Sequence, residues 1–126
     1  LSHHRTTKHI HMKQHIEAIK KTIDKEGINT KVVEQLMELR EWFKANLNEP
    51  GYVRMLRLAY ENIQEKGTYT FLYLEDEDGA ANLKYFLDLL SDYNNKYNKD
   101  ELIDVRHVME GTKREEEEEE DLEQTA

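Results

Sequence analysis

Histidine is the residue type whose spacing comes nearest to a ligand set. The first eleven residues, LSHHRTTKHIH, hold His3, His4, His9 and His11, and His15 follows four residues after His11. Imidazoles at those spacings chelate Zn or Ni, but an affinity tag does the same. His11-Met12 is what a common cloning site leaves ahead of a start codon, and residues 1–11 carry no helical apolar period. They are expected to be a disordered leader, a tag or a misplaced start, and no metal ligand is assigned.

Carboxylates offer two further patterns. Glu75-Asp76-Glu77-Asp78-Gly79 resembles the start of a calcium loop, yet with Gly79 at the sixth position the first and twelfth fall on Leu74 and Tyr85, where acids are required. A solvated turn in which Asp78 or Asn82 caps the next helix fits better. Asp100, Asp104 and His107 would share one helix face, half of a di-iron carboxylate motif, but no second such half occurs between Met12 and Gly111. Cysteine is absent, and Ser91 is the only serine past the leader, so nucleophile triads lack raw material. No phosphate loop, dinucleotide fingerprint or His-Glu-x-x-His is present. No catalytic residue and no cofactor are assigned.

Recognition residues remain. Arg54 and Arg57 lie three apart on a helix that follows a short turn, loosely like a helix-turn-helix, although Glu61 and Glu65 dilute that face. Aromatic residues crowd the second half, and most are needed to fill a core. Tyr60, Tyr69 and Tyr73 are taken as candidate partner contacts, because tyrosines left on an exposed face act as interface anchors.

The chain has 126 residues, 27 acids against 18 Lys and Arg, and a net charge of −9. That charge is local. Glu115, Glu116, Glu117, Glu118, Glu119 and Glu120 run without interruption, with Asp121 and Glu123 close behind, so residues 1–114 are close to neutral. A domain of that charge is not a typical nucleic-acid binder, whereas the glutamate run is a candidate contact for a basic partner. Lack of cysteine suits a reducing compartment. No apolar run is long enough to span a bilayer, and a cytoplasmic location is expected.

The elements that would position these residues follow from periodicity. Met12, Ile16, Ile19 and Ile23 form one stripe ending at Gly27, and Val32, Leu36, Leu39, Phe43 and Leu47 form a second, begun by Asn29 or Thr30. A third helix runs from Pro50 to Lys66, with Tyr52 or Val53, Leu56, Ala59 or Tyr60, and Ile63 inward and Gly67 as its stop. A fourth spans about Ala80 to Tyr97, with Leu83, Phe86, Leu87, Leu90 and Tyr93 on its apolar face. Residues 68–75 are rich in β-formers, and within 102–109 Ile103, Val105, His107 and Met109 alternate with Asp104, Arg106 and Val108. The fold expected is therefore mainly α, a small antiparallel bundle of four to five helices over 12–111, with a disordered acidic tail over 112–126. The alternative is α+β, three helices followed by a small βαβ unit using 68–75 and 102–109.

From this, the expected function is a non-enzymatic protein–protein interaction or accessory module, its partner an unidentified protein or, in a homodimer, a second copy. The alternative is a small regulator of nucleic-acid transactions, acting through Arg54 and Arg57 or through a tail that competes with nucleic acid for a basic partner.

Overall fold

A computed structural model describes residues 2–112, with side chains from Lys8 onward. It contains helices α1 (Ser2–Glu26), α2 (Thr30–Asn46), α3 (Pro50–Lys66), α4 (Gly79–Ser91) and α5 (Lys96–Glu110), and no strand among the described residues. The chain folds as a small all-α bundle. Side-chain oxygens of Asn29, Asp78 and Asn95 accept from the backbone N–H groups of Val32, Ala81 and Asn98 and so start α2, α4 and α5. Pro50 occupies the first turn of α3, where its missing N–H leaves no bond unmade. Gly27 and Gly67 take φ of +78° and +79° just past α1 and α3, a conformation that glycine adopts without a Cβ clash.

Each helix lies against two others, closing a ring in the order α1, α2, α3, α5, α4. The pairs run antiparallel where contacts fix the direction. Lys20 and Asp24 of α1 bond Asp88 and Lys84 of α4 at 2.6 and 2.7 Å, a crossed register that only opposed helices give. Thr30 and Val33 sit beside Ile63 and Gly67 at one end of α2 and α3, while Phe43 and Tyr52 meet the ring of Tyr93 at the other. The interior is filled by Met12, Ile16, Ile19, Leu36, Leu39, Phe43, Leu56, Leu83, Phe86, Leu87 and Leu90, all at 1% exposure or less. Each such side chain contributes about 1.5–3 kcal/mol of transfer free energy, and this sum, rather than helix propensity, holds five short helices in place.

Three expectations are corrected. The segment 1–11 is not a disordered leader where it is described: from Ser2 it forms the opening turns of α1. Helix growth from the buried Met12 turn adds one backbone bond per residue, and His9 makes an edge contact with the Tyr93 ring, centroids 6.2 Å apart.

The helix expected over Ala80 to Tyr97 divides in two. Asp92 N–H bonds Leu89 carbonyl, Asn95 N–H bonds Asp92 carbonyl, and Asn98 Nδ2 reaches the same Asp92 carbonyl. Asn and Asp compete with helical bonding in this way, and the break turns Tyr93 onto the end of the bundle.

The βαβ alternative fails at both flanks. Residues 102–109 are helical because Leu102, Val105 and Met109, spaced three and four, are the buried set. Residues 68–75 form neither strand nor helix but part of a folded connection from Gly67 to Asp78. The tail segment over 113–126 lies outside the described residues.

Truncating Phe43 to Ala is expected to cost about 3–5 kcal/mol, read by urea unfolding followed through Trp42 fluorescence. A loss below about 1 kcal/mol would show that the closed ring does not depend on this residue.

Candidate functional site

Two helix-borne asparagines organise the connection between α3 and α4. Both are buried, Asn62 at 8% and Asn82 at 3% exposure. Asn62 Oδ1 accepts from Thr70 N–H at 2.7 Å, and its Nδ2 donates to Thr70 Oγ1 at 2.8 Å. Asn82 Oδ1 accepts from Leu74 N–H at 2.7 Å, and its Nδ2 donates to the carbonyls of Leu74, Asp78 and Glu77 at 3.0, 3.0 and 3.2 Å. These amides supply the partners that a sheet would otherwise give this backbone. Just ahead of the first clamped residue, Tyr69 is buried at 2% exposure and meets Phe71 edge to face, centroids 5.5 Å apart. Gly79 is needed for a separate reason: the Tyr69 carbonyl lies so close that a Cβ would collide with it.

A second tie joins the connection to α4 and α5. The hydroxyls of Tyr73, Tyr85 and Tyr97 donate to the Glu101 carboxylate at 2.5, 2.6 and 3.0 Å, and the Tyr73 and Tyr85 rings stack at 14°. Burial opposes a charge on Glu101, yet the three hydroxyls outweigh it and hold the carboxyl below its ordinary range. Burial, then the bond to Glu101 and its charge, push the Tyr73 and Tyr85 phenols well above theirs, so both remain donors. Leu72, at 43% exposure, and Tyr97, at 66%, project from this assembly, with Phe71 and Tyr73 half-buried.

The candidates named from sequence are scattered. Tyr73 belongs to the cluster. Tyr69 is corrected from partner contact to core residue, because its ring completes the interior beneath the connection. Tyr60 is half-buried on α3 against the core. Arg54 pairs with Glu110 at 2.9 Å and Arg57 with Glu61 at 3.5 Å, so each of these cations has a carboxylate beside it within the fold. The run from Glu115 to Glu120 lies outside the described residues.

Asn62, Asn82 and Glu101 were not read as site residues. An amide on an apolar stripe, at Asn62 after Ala59 or at Asn82 before Phe86, is the signal that a buried backbone needs partners. Tyr97 and Glu101, four apart, would have shown their bond had the α4–α5 break been recognised.

No known protein family matches this chain, and neither a curated protein nor a solved structure resembles it significantly.

Asn82→Ala strands the amide and carbonyl of Leu74 and is expected to cost about 1–3 kcal/mol, with accelerated amide exchange in 70–78. Unchanged exchange would show that the clamp is dispensable. Glu101 gives a pH test. Its folded carboxyl lies below the unfolded value, so its contribution is present above about pH 4.3 and is lost as pH falls through the folded value. The stability gap between the wild type and Glu101→Gln is expected to be widest at neutral pH and to close in acid. A gap independent of pH would overturn this assignment.

Proposed function

We propose that this chain is a non-enzymatic protein-interaction module that docks a protein partner through the connection between α3 and α4 and the adjoining start of α5. One observation carries the reading: Leu72 stands exposed on a connection whose backbone is anchored on both sides, and Tyr97 stands exposed on the first turn of α5, tied to the same cluster through Glu101. A long connection without regular structure that is nonetheless held in place is more often functional than incidental. Exposed apolar and aromatic side chains cost solubility unless something covers them, and tyrosine offers large contact area with few rotors to immobilise. The clamps of Asn62, Asn82 and Glu101 lower the ordering cost of binding, because the surface is in place before the partner arrives.

The test is affinity capture from the native host, comparing the wild type with Leu72→Ser/Tyr97→Ser, after circular dichroism has shown that both are equally helical. Partners recovered with the wild type are expected to be depleted at least about tenfold with the variant. Equal recovery would remove this face from the proposal.

A further inference from the structure

We infer that the partner presents a basic, amphipathic segment whose arginine side chain enters the cleft beside Tyr73 while its apolar side covers Leu72 and Tyr97. This rests on the docking reading above and adds the chemistry of the occupant. A shallow cleft is lined by Tyr73, Leu74, Glu75, Asp76 and Glu77, one aromatic ring and three carboxylates. Asp24, Asp88, Glu61 and Glu110, by contrast, are matched with cations inside the fold. The side chains of Glu75, Asp76 and Glu77 are exposed and meet no cation or hydrogen-bond donor among the described residues.

Negative charge left unpaired at the rim of an exposed apolar face is complementary to a cation carried on an apolar segment, and it favours the encounter from a distance. Arginine fits better than lysine. Its planar guanidinium can lie on a tyrosine ring while its donors fork onto carboxylates, and it sheds water more readily than an ammonium. Tyr73 is suited to that role because its hydroxyl is tied to Glu101 and its ring is stacked on Tyr85, so the ring has no rotor left to lose.

The experiment is an amide chemical-shift titration of the isotope-labelled full chain. The probes are two synthetic amphipathic helical peptides with the same leucine face, one carrying arginines on its polar face and the other glutamates. The arginine peptide is expected to shift the amides of Leu72 to Asp78 and of Tyr97. Glu75→Gln/Asp76→Asn/Glu77→Gln, which leaves Asn82 and the Asp78 cap intact, is expected to weaken it at least about fivefold. Shifts confined to Glu115–Glu120, or equal affinity in the triple variant, would overturn the inference. If the glutamate peptide binds at Leu72 and Tyr97 instead, the docking face stands and the basic occupant falls. If neither peptide shifts the loop, the inference also falls, and the host capture judges the docking face separately.

Discussion

Backbone satisfaction is the constraint on which the second half of this fold depends. The chain from Gly67 to Asp78 must cross from the end of α3 to the start of α4 without helix or sheet, and part of that path lies against the interior. Each buried N–H or carbonyl left without a partner would cost about 1–3 kcal/mol, which a domain of this size could not absorb several times over. Asn62 and Asn82 remove that cost from opposite sides, and their two side-chain amides serve Thr70, Leu74, Glu77 and Asp78 together. With the backbone settled, Tyr69 can be buried, and Gly79 can bring the first turn of α4 up to the Tyr69 carbonyl.

A second level of organisation is electrostatic. Glu101 is the point where the connection, α4 and α5 meet, because three hydroxyls from three different elements donate to one carboxylate. Where α4 meets α1 instead, the crossed pairs Lys20–Asp88 and Asp24–Lys84 align the two helices. The exposed pairs contribute register more than stability. The Lys20 ammonium is held above its ordinary range chiefly by its hydrogen bond to Asp88.

Tyr93 has the corresponding role at one end of the bundle. The break between α4 and α5 looks like a defect in an otherwise continuous apolar stripe, but it aims one ring at His9, Phe43 and Tyr52, which belong to α1, α2 and α3. A helix continued through this point would have kept the stripe and lost the plug. The surface with Leu72 on the connection and Tyr97 on α5 thus adjoins a frame tied at both the Asn clamps and the aromatic end.

Much of the frame was legible in the residues alone. The stripes Met12–Ile23 and Val32–Phe43, the Asn29 and Asp78 caps, Pro50 and the stops at Gly27 and Gly67 are local signals, because propensity, capping and a 3.6-residue period act within a few residues of chain. They made a helical bundle the expected fold and left α+β as its alternative. The candidate site was far less legible. Tyr73, Tyr85, Tyr97 and Glu101 come from a connection and two helices, and nothing in their spacing says that their hydroxyls converge. The alternation of Ile103, Val105, His107 and Met109 suggested a strand, yet Leu102, Val105 and Met109 are what the neighbouring helices bury. Whether a β-rich segment pairs as a strand, joins a helix or is clamped as a loop depends on which partners the rest of the chain brings to it. That choice is made by long-range packing and hydrogen bonding, so the tertiary structure alone decided it.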